Sequence, residues 1–558
     1  MARTPETWEV EDETFWNATG KKIAYRNLVV SIPNLLCGFA IWIYWGMIAK
    51  YLITIHAGNP ELFNFTFGNN GQPYEGGAYA ALLLTLPAVA GLVGATMRIP
   101  NSFMVAITGG RNAKFMTTVL LMIPALGAGI ALQNPDTPFW LLIIYAALSG
   151  VGGGAFASSM SNISFFFPKR MQGLALGLNA GIGNLGVSVM QFVIPWIITF
   201  PLFGSLGGDP QVFIQNATEK HLWIQNSGLF WVPILAFLIV AAFLLMCNLP
   251  QHQKACGSTP VAVGKFLWLS ILGFAGGAAG VGLLMLQKFS DVLPTFTSNA
   301  PINELIWTFA MVPMAVVPTL LLMRYLTPKA TRDNLKGQFV IFKKKHNWVM
   351  TWLYVMTFGS FIGYASAFPV LIDQVFGKIY VDSAGNPLAQ SIANPNAPIT
   401  ANFIFLGAGV GALLRPIGGW LADKWGGARV TQWDTWIMVA ATIAAGYFTY
   451  QARSSVTPET YFVPFLLTFI LLFATTGIGN GSTFRMIPFI FTKDLAGPVL
   501  GFTSAIAAYG AYLIPKVIGT QIQAGTPEYA LYGFAAYYAS CLGVNWWFYA
   551  RKNAEIPC

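Results

Sequence analysis

Charged side chains are scarce in this sequence. Only 9% of its 558 residues are Asp, Glu, Lys or Arg, whereas 55% are hydrophobic. Soluble globular proteins carry about 25% charged residues. The scarcity excludes a soluble domain and indicates a helical protein that crosses a membrane many times.

Cysteine and histidine are also sparse, and neither forms the spacing of a metal or redox site. The five cysteines contain no CxxC pair, and we expect the four histidines to lie outside the spans. We therefore predict no disulfide framework, no metal and no other cofactor. With no nucleophile constellation either, the chain is not expected to be an enzyme. The cysteines are Cys37, Cys247, Cys256, Cys541 and Cys558, and the histidines are His56, His221, His252 and His346.

Apolar windows of about 20 residues, each long enough to cross a bilayer, recur along the chain. The first is too long for the apolar part of a signal peptide and is expected to be retained. The pattern predicts an all-α polytopic membrane protein with about fourteen spans. The windows lie near 28–50, 78–100, 114–132, 139–165, 172–200, 229–248, 264–286, 304–326, 348–373, 400–421, 434–451, 461–484, 496–520 and 529–550.

The net charge of +10 is distributed unevenly between the two sides of these spans. Odd-numbered loops hold four of the 31 Lys and Arg residues, whereas the termini and even-numbered loops hold 22. Basic loops stay in the cytoplasm, so both termini are predicted to be cytoplasmic. The charge is an orientation signal and not a nucleic-acid surface. The run Lys343-Lys344-Lys345 either anchors this orientation or binds anionic lipid headgroups.

Three pairs of segments match between the halves of the chain, in the same order. Residues 98–110 (RIPNSFMVAITGG) resemble 415–427 (RPIGGWLADKWGG), the glycines at 150–154 resemble 477–481, and 176–186 resembles 500–510. The offsets place six spans in each half with two spans inserted between them. The expected divisions are an N-terminal segment 1–27, a first half 28–248, an insert with a basic loop 249–347, a second half 348–550 and a tail 551–558.

Two arginines, Arg98 and Arg415, occupy equivalent positions of this repeat within apolar stretches. Ionisable side chains inside a span are costly and mark candidate sites. If the halves are related by a two-fold axis, both guanidinium groups face one cavity and need an anion between them, which the planar fork of Arg suits. The alternative is that both side chains snorkel towards the cytoplasm.

Acidic side chains are expected only near the ends of spans, for example Glu304, Asp373, Asp423 and Asp494. Proton-coupled carriers generally use a titratable group in their pathway, whereas an anion exchanger needs none. The expected absence of a titratable group within the spans therefore favours antiport. For Lys50, Lys516 and Arg485, which lie near span ends, we expect snorkelling.

Neutral groups complete the candidate set. Asn179, Asn184 and Thr503 place polar atoms on the paired fifth and thirteenth spans. Tyr354 and Phe358 lie one turn apart and either clamp a planar ligand or pack in the core. The glycines of the repeats either expose backbone to a small ligand or allow tight helix packing, and packing is the favoured interpretation.

The glycine-rich stretch 156–191 resembles the first signature of the NarK-type nitrate/nitrite porter family of the major facilitator superfamily, and LGFTSAIAAYGAYLIPKVIG (500–519) resembles the second. The resemblance implies a major facilitator fold. It also implies that Arg98 and Arg415 grip nitrate or nitrite and that Asn179 adds a polar contact. Gly177 and Gly501 would bring backbone close to the anion, with Ser504 nearby, while Tyr354 and Phe358 would sandwich it.

We therefore expect a carrier that exchanges nitrate and nitrite by alternating access in the bacterial cytoplasmic membrane. We expect it to be a monomer surrounded by membrane lipids and to bind no nucleic acid. Proton-coupled nitrate symport is the alternative within the same class. An anion channel or a nitrate sensor is the alternative from another class, although a sensor would carry a soluble output domain.

Overall fold

Fourteen long helices account for most of the fold. The structure, a computed structural model, describes residues 4–215 and 217–558, so Met1–Arg3 of the predicted N-terminal segment lie outside the described residues. The helices are α1 Glu13–Gly58, α2 Gly76–Thr108, α3 Gly110–Ala131, α4 Phe139–Phe166, α5 Lys169–Ile197, α6 Asn226–Leu245, α7 Thr259–Phe289, α8 Ala300–Tyr325, α9 Lys345–Phe376, α10 Thr400–Trp425, α11 Gly427–Arg453, α12 Pro458–Ile490, α13 Lys493–Gln523 and α14 Pro527–Asn545.

Each helix corresponds to one predicted window, but the membrane count differs. Among the described residues, twelve helices are long and apolar enough to cross a membrane. The other two, α11 and α14, are long but less apolar, so a total of fourteen crossings stays a prediction. Several helices also extend beyond their windows. Helix α1 begins at Glu13 and continues to Gly58, so His56 lies inside it and stacks on Tyr79 with 3.9 Å between ring centroids. His56 therefore lies in a helix and not in the loop expected from the sequence.

The chain forms two compact units. The first runs to Phe167 and adds Ile182–Pro294 and Met311–Val340, and the second comprises Pro168–Gly181, Thr295–Ala310 and Ile341–Cys558. The domain boundaries drawn from the sequence are not tested by this division and stay predictions.

Two antiparallel hairpins lie in loops for which the sequence analysis predicted no strands. Strands β1 (Gln211–Gln215) and β2 (Thr218–Leu222) pair between α5 and α6. Strands β3 (Lys378–Val381) and β4 (Pro387–Ala393) pair between α9 and α10. The windows used for spans select long apolar runs, and these short polar strands contain none.

Helices α2 and α10 end in the same way. Gly109 and Gly426, the first glycines of the two matched Gly-Gly pairs, adopt φ values of +81° and +90°. This left-handed conformation is the one that glycine adopts at little cost at a helix C-terminus. The second glycine of each pair begins the next helix, α3 or α11. The repeat in the sequence therefore corresponds to a repeated helix–turn–helix corner.

The inserted helices pack on the first unit through small residues. Gly273 of α7 lies against Pro100 and Met97 of α2, because a Cβ at Gly273 would lie 2.8 Å from Pro100 Cγ. Gly276 lies against Thr319 in the second half of α8. Both helices leave more than half of their most apolar window exposed, as expected for side chains that face lipid.

A short helix between α6 and α7, Pro250–Cys256, holds a buried histidine. His252 is 7% exposed and packs edge-on against Phe165 with 4.9 Å between ring centroids. Burial penalises the imidazolium and lowers the pKa of His252 from 6.5 to about 4.

Acidification is expected to destabilise the fold through His252. The unfolded state binds the proton more tightly, so the stabilisation is complete above pH 6.5 and is lost as the pH falls towards 4. The loss is on the order of 2–3 kcal/mol. Melting temperatures of detergent-purified protein between pH 7 and 4.5 would measure it. His252→Phe should lessen the fall, while His221→Gln, at an exposed hairpin position, should not. If the melting temperature fell equally with pH in all three proteins, His252 would not be the group responsible.

Candidate functional site

Arg98 lies in a pocket of the first unit built by three helices. Its side chain is 0% exposed, and Nε donates a hydrogen bond to the Gly153 carbonyl oxygen of α4 at 2.9 Å. The guanidinium carbon lies 4.5 Å from the ring centroid of Phe156 and 5.2 Å from that of Trp42. Aromatic faces stabilise a cation without neutralising it. The pocket therefore holds a positive charge in an apolar surround.

Arg415 lies in a similar pocket of the second unit. It is 1% exposed, and Nη2 donates a hydrogen bond to the Tyr354 hydroxyl at 2.7 Å. The guanidinium carbon lies 5.2 Å from the ring centroid of Phe484 and 5.8 Å from that of Phe358. Tyr354 stacks on Phe484 at 4.1 Å and is nearly parallel to Phe358, with 4° between the ring planes. The structure thus brings together Arg415, Tyr354 and Phe358, as the family resemblance implied.

Burial to this degree argues against snorkelling for both arginines. A snorkelling side chain keeps its charged head in water, whereas both guanidinium groups are enclosed by aromatic rings and backbone. Their positive charge is retained because Arg does not lose its proton in proteins.

The glycine runs hold the helices beside each arginine close together. In the first unit, a Cβ at Gly152 would overlap the Gly38 carbonyl oxygen of α1, and one at Gly153 would lie 2.8 Å from Gly94 Cα of α2. In the second unit, a Cβ at Gly477 would overlap the Gly411 carbonyl oxygen of α10. Close helix packing therefore accounts for these glycines, and ligand contact at them stays untested.

The other predicted site residues are buried on α5 and α13. Gly177 lies against α10, where its Cβ would lie 2.9 Å from Pro416 Cα and 3.2 Å from the Arg415 carbonyl oxygen. Asn179 is buried two residues later on the same helix. On α13, Gly501 and Ser504 are buried, and the Ser504 hydroxyl donates to the Gly501 carbonyl oxygen at 2.7 Å. The anion contacts assigned to these four residues stay predictions.

An ion pair lies near the C-terminal end of α10. Asp423 accepts hydrogen bonds from the backbone N–H groups of Gly173 and Leu174, at 3.2 and 3.0 Å, and from Arg485 Nε at 3.3 Å. The N-terminus of α5 attracts this carboxylate through its unpaired N–H groups. Snorkelling was therefore the wrong expectation for Arg485. Lys516 likewise pairs with Glu304, with 3.7 Å between Nζ and the carboxylate oxygen.

Three aromatic residues around the arginines, Phe156, Phe484 and Trp42, were not predicted from the sequence. Phe156 and Phe484 each follow a matched glycine run within three residues. An aromatic residue placed after both copies of one repeat was the available signal. Trp42, on α1, gave none.

One acidic side chain that the sequence placed at the end of a window is buried between helices. Asp434 is 4% exposed. Its window was expected to begin at residue 434, which placed the carboxyl at a helix end, but α11 begins two turns earlier at Gly427. Asp434 is therefore enclosed by neighbouring helices. The same shift of helix α3 buries Lys114, which is 3% exposed.

Metal chemistry finds no support in the described part of the chain. No group of three or more His, Cys, Asp or Glu side chains is arranged there to hold an ion. The five cysteines are free thiols, four of them buried.

Comparison with solved structures shows the fold. The proton:xylose symporter XylE bound to 6-bromo-6-deoxy-D-glucose, a major facilitator superfamily protein, superimposes with a TM-score of 0.59 at 14% identity. The match covers 94% of this chain and 96% of that one. The human organic anion transporter MFSD10 superimposes with a TM-score of 0.54 at 12% identity, over 94% and 99% of the two chains.

Comparison with curated proteins shows the family. No protein-family model matches the chain. The sequence is 34% identical to the probable nitrate/nitrite antiporter NarK2 of Thermus thermophilus, over 99% of this chain and 97% of that protein. It is 32% identical to the nitrate/nitrite transporter NarU of Escherichia coli, over 98% and 96%. With such identity over nearly its whole length, the chain belongs to the NarK-type nitrate/nitrite porter family of the major facilitator superfamily.

Proposed function

We propose that this chain is a secondary active transporter that exchanges nitrate for nitrite across the bacterial cytoplasmic membrane by alternating access. The observation that carries the proposal is the enclosure of Arg415, whose charge lies against aromatic rings and a neutral tyrosine hydroxyl. Burying a guanidinium costs several kcal/mol, and a bound group of opposite charge lowers that cost. A small oxyanion bound at the fork would offset that cost.

Both arginines bind the transported anion in this proposal. Nitrate and nitrite are planar, which suits the parallel faces of Tyr354 and Phe358 and the planar fork of Arg. Asn179 adds a polar contact, and the backbone at Gly177 and Gly501 approaches the anion, with Ser504 nearby. The names of the relatives support these two anions as the substrates.

Exchange follows from the charge of the empty site. Two arginines without an anion repel one another and resist closure, whereas a bound anion neutralises them and permits the conformational change. One anion must therefore enter before the carrier returns with another. The carrier acts as a monomer in a lipid bilayer, with both termini in the cytoplasm.

Anion flux in proteoliposomes tests this function. The full chain is reconstituted with nitrite, chloride or no permeant anion inside, and uptake of labelled nitrate is followed. Uptake should accelerate strongly with internal nitrite and respond little to a pH gradient alone. Uptake that is indifferent to internal nitrite would refute exchange. Equal uptake into protein-free vesicles would refute transport.

Proton-coupled nitrate symport is the second candidate, because of the buried carboxyl of Asp434. The expected absence of a titratable group within the spans favoured antiport, and a buried carboxyl at Asp434 weakens that support. Symport would appear in the same vesicles as uptake that follows an inward proton gradient without internal nitrite.

A further inference from the structure

We propose that Asp434 is a proton-binding site of the carrier and that its protonation is linked to anion binding at Arg415. The inference rests on the proposed function, since it assumes that Arg415 binds nitrate. It assigns a ligand, the proton, to a side chain outside the anion site.

Asp434 lies in the second turn of α11, where helix α12 covers it. An ideal Cβ at Gly479 would lie 2.7 Å from Asp434 Oδ2, so only a glycine leaves room for the carboxyl group. Oδ2 is fully buried and has no hydrogen-bond partner among the described residues. An isolated buried carboxylate is far more costly than the neutral acid. This position can therefore hold a proton, and the charge of the group depends on its surroundings.

A short series of contacts within the same unit connects Asp434 to the proposed anion site. The hypothetical Cβ at Gly479 would also lie 2.6 Å from Thr357 Cγ2. Asp434 and Thr357 therefore both pack beside Gly479 of α12. The Thr357 hydroxyl donates to the Tyr354 carbonyl oxygen at 3.4 Å, and the Tyr354 hydroxyl accepts from Arg415. One turn of α9 thus carries both Thr357, which shares the surface of Gly479 with the buried acid, and Tyr354, which accepts a hydrogen bond from Arg415.

Other charged and titratable groups near this end of α11 have partners of their own. Asp423 and Arg485 pair with each other, and the Tyr538 hydroxyl bonds to the hydroxyls of Ser360 and Tyr364. Asp434 forms no ion pair with any described residue. Titratable and charged groups on the elements around it include Tyr354 on α9, Arg415 and Asp423 on α10, Arg485 on α12, Tyr538 and Cys541 on α14, and Tyr549 after α14. The elements packed against the far end of α11 carry Asp373, Lys378 and Glu459.

The sign of the linkage follows from electrostatics. An ionised Asp434 places a buried negative charge in the same unit as Arg415 and repels an incoming anion in a medium of low dielectric constant. Protonation removes that repulsion, so nitrate binds more tightly at low pH. Because linkage is reciprocal, nitrate binding must draw a proton onto Asp434.

Calorimetric titration of potassium nitrate into the purified full chain tests this, in two buffers that differ in ionisation enthalpy. For the wild type we expect net uptake of protons on binding and a Kd about tenfold lower near pH 5.5 than near pH 8. Asp434→Asn should bind nitrate with a pH-independent Kd and no proton uptake. Asp494→Asn, which removes an exposed carboxyl of the same unit, should behave as the wild type does.

The outcomes separate the two proposals. If the wild type binds nitrate without taking up protons, the role of Asp434 is refuted and the anion site stands, and this result needs no variant to fold. Undiminished proton uptake in Asp434→Asn would also refute that role. If the wild type binds no nitrate at any pH, the proposed function itself fails.

Discussion

Replacing Arg415 with lysine is expected to lower nitrate flux by roughly 10- to 100-fold, because one charge-assisted hydrogen bond to the anion is lost at about 1.5–3 kcal/mol. Lysine keeps the positive charge, but its ammonium group has neither the planar fork nor the reach to bond the Tyr354 hydroxyl and the anion together. Initial rates of nitrate/nitrite exchange in proteoliposomes would measure the loss. Arg98→Lys should lose flux to a similar extent, since its guanidinium is held in an equivalent aromatic pocket.

The matched control for this substitution is Arg429→Lys, at an exposed position of the second unit. It should exchange anions at the wild-type rate. Tyr354→Phe removes only the hydroxyl that accepts from Arg415 and should weaken transport less than Arg415→Lys does. Near-normal exchange in both arginine variants would remove the central claim about the site.

Substituting alanine for Gly477 is expected to destabilise the second unit by about 3 kcal/mol or more, at the upper end of overpacking costs. The new methyl group would overlap the Gly411 carbonyl oxygen, and both atoms belong to helix backbones that cannot rotate aside. Separation of α10 from α12 would also move Arg415 and Phe484, which these two helices carry. The melting temperature in detergent and the yield of monodisperse protein would both fall.

Gly533→Ala is the control, because no atom lies within 4 Å of a Cβ at that position of α14. It makes the same chemical change in a helix with open space, where alanine favours the helix over glycine. Its melting temperature should equal or exceed that of the wild type. If Gly477→Ala melted at the same temperature as Gly533→Ala, close packing at the repeat would not be what requires the glycine.

The helices could be predicted from the sequence because membrane spans require long apolar runs. Each predicted window corresponds to one long helix, and the repeat that places Arg98 with Arg415 corresponds to equivalent corners at Gly109 and Gly426. The major facilitator fold and the family are confirmed by the structural neighbours and by the relatives. Because that family consists of transporters, the expectation that the chain is not an enzyme is confirmed as well.

Helix ends could not be predicted to the same precision, and the errors there had chemical consequences. Hydropathy does not mark where a helix begins within a polar stretch, so the first two turns of α11 were read as a loop. Asp434 was therefore treated as a terminal carboxyl, although neighbouring helices enclose it. The sequence also does not show which side chains pair between different helices, as Arg485 and Asp423 do.

Tyr354 and Phe358 are parallel because α9 changes its winding between them. Residues Val355–Gly359 form a π-helical turn, which contains one residue more than a turn of α-helix. Deleting one residue from this turn would leave a continuous α-helix of ordinary length. Because the extra residue is confined to this turn, Ser360 and Tyr364, which both bond to Tyr538, would keep nearly the same orientation. A relative that lacks one residue at this place would therefore keep the packing beyond the turn and differ only in the placement of the rings beside Arg415.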